Sequence, residues 1–168
     1  MNQAGELNEC FRVVEVSDAA FVAGGLFQLK FGDPIPDYGR HLVALYQNHS
    51  HQYVPVGYLN VFPHDTVALI GGGCTDGRAF EYIDQQHADA IRASGGTLFN
   101  LLRYAFTRMA TDYEAFFGYC GDARAEEVDL AAGFKHTGVP QLLVNFHRPV
   151  VHARRETLIK EVAALGPF

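Results

Sequence analysis

The most regular apolar pattern in the chain lies between residues 98 and 109. Leu98, Leu101, Leu102, Ala105, Phe106 and Met109 recur at the spacing of one helical face, which predicts an amphipathic helix with a buried stripe. Upstream, Phe11–Val16 is rich in β-branched residues and reads as a strand. Ser17-Asp18 offers a cap for a helix over 19–30, with Phe21, Leu26 and Leu29 as packing residues and Gly24-Gly25 lowering its propensity. Residues 31–40, with Gly32-Asp33-Pro34 and Pro36-Asp37-Tyr38-Gly39, read as loop. Three strands follow at 41–47, 53–62 and 67–70, the last running into Gly71-Gly72-Gly73, with a turn at Pro63-His64-Asp65. Their short connections imply an antiparallel meander.

Ile83, His87, Ala90 and Ile91 fit a short helix over 84–93 that leads to the glycines ahead of the main helix. Beyond it, 114–120 reads as a buried strand, and Gly121-Asp122 turns into a helix over 123–132 that stops at Gly133-Phe134. A last strand over 139–146 precedes an amphipathic tail helix over 154–165, with Leu158, Ile159, Val162 and Leu165 on one side. With no repeat, low-complexity tract or linker, these elements predict a single α+β domain over 1–168, with its core at 11–146 and a tail at 147–168.

The strand ending in Gly71-Gly72-Gly73 and the strand ending in Gly118-Tyr119-Cys120-Gly121 are joined through the main helix. A crossover of that length makes them parallel, and parallel strands place ligands beyond their carboxyl ends. Glycine weakens a strand, so its use at both ends implies either bulges in a curved sheet or close approach by a ligand. The helix start Arg92-Ala93-Ser94-Gly95-Gly96-Thr97 faces the same spot and favours the ligand. Ser94 or Thr97 would cap the first turn, and the unpaired N–H groups there, with Arg92 nearby, suit a phosphate or pyrophosphate.

Composition narrows the partners. The 168 residues are 48% hydrophobic and 19% charged, which is globular. No apolar run reaches the length of a membrane helix. Residues 1–10 are polar and mildly acidic, without the basic start and apolar core of a signal peptide. A net charge of −6 disfavours a nucleic-acid surface. Cys10, Cys74 and Cys120 lie far apart without metal-ligand spacing, and read as free thiols in a reducing, cytoplasmic setting. No metal site is expected: the His49-Ser50-His51 pair has no third ligand and reads as a solvated turn.

The order strand, helix, three-stranded meander, glycine-marked helix, strand, helix, Gly-Phe, strand resembles the GNAT N-acetyltransferase superfamily over roughly 11–146. Arg92-Ala93-Ser94-Gly95-Gly96-Thr97 is similar to that family's pyrophosphate-binding Arg/Gln-x-x-Gly-x-Gly/Ala motif at Arg92 and Gly95, departing at Thr97. The stretch from Gly121-Asp122-Ala123 to Gly133-Phe134 resembles the segment after the family's fifth strand. The resemblance implies a mixed, mostly antiparallel sheet flanked by helices, with acetyl-CoA between splayed fourth and fifth strands. It implies pyrophosphate contacts from Arg92, Ser94, Gly95, Gly96 and Thr97, pantetheine contacts from the main chain of Ile70, Gly71 and Gly72, and a cofactor-side position for Asp122. The implied reaction is direct transfer of an acyl group to a small-molecule or peptide amine.

Three departures from the family pattern bear on catalysis. Asp129 stands four residues before Gly133, where the family commonly has a tyrosine that protonates the leaving thiolate; Asp122 replaces an asparagine; and the interval from Gly73 to Arg92 is longer. Asp129, Tyr119 and Glu81 are therefore the catalytic candidates, with Tyr119 as a substitute acid and Glu81, like Asp76, as a base following the glycine run. Strand alternation sends one of Tyr119 and Cys120 to the cleft and the other to the core, and Cys120 is the weaker candidate as a covalent nucleophile. His87 and His136 are further possible bases, and Tyr38 sits where the family often gates its acceptor. A second class of reading is a non-catalytic GNAT-like module that binds a ligand or assembles as a homodimer, motivated by Asp129 and by a tail helix whose apolar side seeks a partner.

Overall fold

The computed structural model describes residues 9–168, so most of the polar stretch 1–10 lies outside the described residues. Among the described residues seven strands form one sheet in the order β1-β2-β3-β4-β5-β7-β6. They are β1 (Phe11–Val16), β2 (Arg40–Gln47), β3 (Tyr53–His64), β4 (Val67–Thr75), β5 (Phe116–Tyr119), β6 (Lys135–His136) and β7 (Leu142–Asn145). Every pairing is antiparallel except that of β4 with β5. This is the mixed, mostly antiparallel sheet of an α+β domain that the resemblance implies.

The meander is as expected, with one shift. Pro63 and His64, expected in the turn, belong to β3, and the turn centres on Asp65 with φ +50°. Pro63 is tolerated because β2 begins at Arg40, opposite Val61, so no ladder bond to β2 is lost beyond that level. In the other hairpin, Asn48 Oδ1 accepts from the backbone N–H of Ser50 at 2.9 Å and of Gln52 at 3.0 Å.

Helices cover both faces. On one lie α1 (Ala19–Phe31) and the tail helix α6 (His152–Ala163); on the other lie α2 (Ala79–Tyr82), α3 (Gln85–Ala93), α4 (Gly96–Arg108) and α5 (Ala123–Ala132). α4 buries Leu101, Leu102, Ala105 and Phe106 of the stripe read from the sequence, with Met109 just beyond it, while Leu98 is half-buried and Thr97 is buried in addition. α1 is capped by Asp18, whose Oδ1 accepts from Phe21 N–H at 2.9 Å. It buries Ala19, Ala23, Leu26 and Phe27, so Phe21 (87% exposed) and Leu29 (61% exposed) face outward, contrary to expectation. The small residues win because Ala19 and Ala23 let the helix lie close on the sheet while Phe27 reaches Tyr58.

The last strand is shorter than the expected 139–146, and β6 forms an outer edge that was not foreseen. The tail helix starts two residues earlier than expected. Its Leu158 and Val162 pack on Val67, Leu69, Phe117, Leu142 and Val144, so its apolar side covers the chain's own sheet rather than awaiting a partner. No described helix is long and apolar enough to cross a membrane.

Candidate active site

Two adjacent parallel strands part company at the centre of the sheet. β4 pairs with β5 only from Ala68 to Ile70, against Phe116 to Gly118. β5 then ends at Tyr119, whereas β4 continues to Thr75 with β3 alone. Beyond Ile70 the edge of β4 that faces this gap carries main-chain groups without a strand partner. The glycine run lies inside β4 rather than after it. Asn60 pairs with Gly71 but Tyr58 pairs with Cys74, so Gly72 and Gly73 together oppose Leu59 and form a bulge. A Cβ on Gly71 would meet the Phe62 ring at 2.9 Å, and one on Gly72 the Phe27 ring at 3.0 Å. Glycine therefore serves here both to bend the strand and to admit aromatic rings to its main chain.

The start of α4 stands beside the same gap. A Cβ on Gly73 would lie 3.7 Å from Leu98 Cδ1, and Thr97 is so close to β3 that only glycine fits at position 57. Gly95 and Gly96 have φ of +102° and +89°, conformations that side-chain-bearing residues avoid. Neither expected cap is used. Ser94 Oγ donates to the Ile91 carbonyl at 2.7 Å and accepts from Asn100 Nδ2 at 2.8 Å, while Thr97 is buried against the sheet. No side chain caps α4, and its first-turn N–H groups open beside exposed Gly73 and Gly95. Arg92 donates from Nη1 to Asp89 Oδ1 at 2.9 Å and stacks over Phe80 at 4.3 Å, so its charge is held near the helix start by neighbours.

The catalytic candidates separate by face. At the end of β5, Tyr119 turns to the α1/α6 side, its ring 5.1 Å from Phe168, and Cys120 turns to the opposite core. Asp129 on α5 reaches Cys120, and burial raises its pKa above the ordinary aspartate value, with Cys120 opposing the rise and Glu126 adding to it. Burial pushes the Cys120 thiol up to about 11, which leaves little of the thiolate that a nucleophile needs. Glu81 is exposed on α2, across the sheet from Tyr119, and the fold does not bring these two together. Neighbouring Asp76 is occupied, accepting from Tyr82 Oη at 2.7 Å and from Arg78 N–H at 2.9 Å. Asp122 caps α5 by accepting from Ala125 N–H at 2.8 Å. Of the histidines, His87 Nδ1 meets Tyr46 Oη at 3.1 Å, and His136 lies 3.5 Å from Glu126. His49 lies 3.6 Å from Asp84.

A mixed sheet whose one parallel pair among the described residues opens beside a glycine-marked helix start is a specific arrangement. The catalytic domain of Tetrahymena GCN5 histone acetyltransferase, in complex with coenzyme A, superposes on it with a TM-score of 0.51 over 84% of this chain and 95% of that one. The chain has the GNAT acetyltransferase fold. Sequence identity to the Tetrahymena domain is 14%. A GNAT-family acetyltransferase from Bacillus anthracis also matches, with a TM-score of 0.39, 14% identity, and coverage of 64% of this chain and 66% of that one. No family model matches the sequence. An 88-residue stretch, 51% of the chain, is 33% identical to the S-adenosylmethionine:tRNA ribosyltransferase-isomerase of Psychrobacter arcticus, and it spans 20% of that protein.

Proposed function

We propose that this chain is a coenzyme A-thioester-dependent N-acyltransferase that passes an acyl group directly to a small-molecule or peptide amine. The opening of β4 from β5 beside an uncapped, glycine-built helix start carries this reading. The residues fit acetyl-CoA. Main-chain groups of Ile70, Gly71 and Gly72 would lie along the pantetheine arm. The N–H groups from Ser94 to Thr97, with Arg92 beside them, would hold the pyrophosphate against the helix dipole. When bound, acetyl-CoA supplies an activated acyl carbon.

Asp129 is suited to hold a proton for the leaving sulfur. Its raised pKa keeps more of the acid form than an ordinary carboxylate would. Titration calorimetry tests the reading: the wild-type chain should bind acetyl-CoA, and Arg92→Glu, at a half-exposed position, should weaken binding about tenfold, or roughly 1.4 kcal/mol. An absence of heat at millimolar acetyl-CoA would refute it. Gly95→Glu is a poorer probe, since a Cβ there meets Phe99 at 2.6 Å and would disturb the helix itself.

A further inference from the structure

The sheet face beneath α1 holds a buried polar row that acyl-group binding does not use. His41 on β2 is directly opposite Asn60 on β3, and Asn60 is directly opposite Gly71 on β4. The row ends at the glycine where β4 begins to leave β5. His41 is 7% and Asn60 2% exposed, beside fully buried Val43 and Tyr58 on the same face. His41 Nδ1 lies 2.8 Å from the hydroxyl of fully buried Tyr58, which Phe27 of α1 meets edge-on at 5.4 Å.

Asn60 donates from Nδ2 to the Tyr38 carbonyl at 3.2 Å, and its Oδ1 has no partner among the described residues. Flipping the amide would set two acceptors against each other, so the orientation is fixed by chemistry. A buried amide oxygen without a donor calls for an explanation, and an absent ligand is one. Gly39 of the 32–39 loop, with φ +87°, packs so closely on this oxygen that no side chain fits there, so the loop covers it and must lift for a ligand to reach it. Along the same face, Tyr38 packs edge-on to Phe62 at 5.6 Å, and Phe62 to Phe168 at 6.0 Å.

Resting on the acyl-transfer reading, we propose that Asn60 Oδ1 orients the acceptor amine and that His41, across one water, removes its proton. The acceptor is then a primary amine on an uncharged, flat apolar body lying against Tyr38 and Phe62. The groups facing His41 suit a base. Tyr58 holds Nδ1, and the charge of Glu15 on β1 is the one that acts on the ring. Arg40, next on the strand, is engaged by Glu15 and Asp112, while Cys74 and Lys30 lie beyond Tyr58. Burial lowers the His41 pKa against the opposing pull of Glu15, so the imidazole is neutral at neutral pH. In the step, the ammonium gives one proton to His41, which passes it to solvent. The amine lone pair then forms the C–N bond as the C–S bond breaks, Asp129 gives its proton to the departing thiolate, and the second nitrogen proton leaves to solvent, from which Asp129 is reprotonated, giving amide and free coenzyme A.

Steady-state kinetics with acetyl-CoA and 2-phenylethylamine, followed as coenzyme A release, test this. Wild-type kcat should rise with pH along a limb whose midpoint lies below 6.5, the ordinary histidine value. His41→Gln should lower kcat by at least about 100-fold and remove the limb. Asn60→Ala should raise KM for the amine about tenfold and leave KM for acetyl-CoA unchanged. Tyr58→Phe, which keeps the ring and loses only the hydroxyl, should move the limb's midpoint, and it decides the matter if His41→Gln does not fold. Calorimetry with acetyl-CoA separates the two failures. Normal binding with rate and limb unchanged in these variants, or with no transfer to the amine, overturns the assignment of His41 and Asn60. Failure of the wild-type chain to bind acetyl-CoA overturns the acyl-transfer reading itself.

Discussion

At Gly57 one hydrogen atom sets how closely α4 approaches the sheet. A Cβ there would stand 2.5 Å from Thr97 Cγ2 and 3.1 Å from Leu101 Cδ1, in the turn that opens the helix. Gly57→Ala should therefore cost about 1–3 kcal/mol by overpacking, read by urea denaturation, and should weaken acetyl-CoA binding because the same turn moves. Unchanged stability would mean that the turn is not seated there. Asp129 gives a second test at this scale. Its raised pKa means that the acid form is present below that value and is lost as pH rises through it. Acetyl transfer in the wild type should fall along that limb, and Asp129→Asn should remove the limb; an unaltered profile would assign the proton to another group. The glycines and Asp129 are legible as letters in the chain. His41 and Asn60 are visible only as polar residues inside apolar strands, and nothing in the sequence says that one meets Tyr58 and the other meets no donor.

Among the elements, the periodic ones are the best read. The stripe of α4 and the β-branched run of β1 are where the pattern puts them, because α4 buries one face against the sheet and β1 pairs along its whole length with β2. α1 misleads, since its hydrophobic residues surround the helix and the choice of face falls to Ala19 and Ala23, which no periodicity of large residues reveals. The bulge in β4 is equally hidden: three glycines announce an irregularity, but the pairing of β3 decides that it lies within the strand. The join between tail helix and sheet offers a measurable consequence. Arg154 Nη2 donates to Glu114 Oε1 at 2.8 Å and to Thr66 Oγ1 at 2.9 Å. Hydrogen bonding from Arg154 holds the Glu114 pKa down at about 2, against an ordinary 4.5. A depressed carboxylate contributes stability that is present above 4.5 and lost as pH falls toward 2. Amide exchange in α6 should accelerate across that window and should not do so in Glu114→Gln. Equal acid sensitivity in both would show that another carboxylate governs the tail.

Over the whole molecule, two helical layers enclose the sheet unequally. α2 to α5 share one core with Phe106, whose ring lies 5.0 Å from Phe116 and 5.1 Å from Phe134. The other face is divided between α1 and α6, each with its own cluster, and Phe62, Phe168 and Tyr119 lie on the α6 side of that division. The proposed acceptor site lies on this divided face, under the 32–39 loop. Self-assembly through the tail helix would require its apolar side to be free, yet Leu158 is 2% and Val162 1% exposed against the chain's own strands. Leu158→Ala should then cost about 2–5 kcal/mol of unfolding free energy, as a buried leucine does when a cavity is left behind. Light scattering should give the same particle mass for this variant as for the wild type. A lower mass with stability intact would reverse the assignment and make the tail an interface between copies. The two measurements together decide it, because burial within one chain couples Leu158 to folding and burial between chains couples it to association.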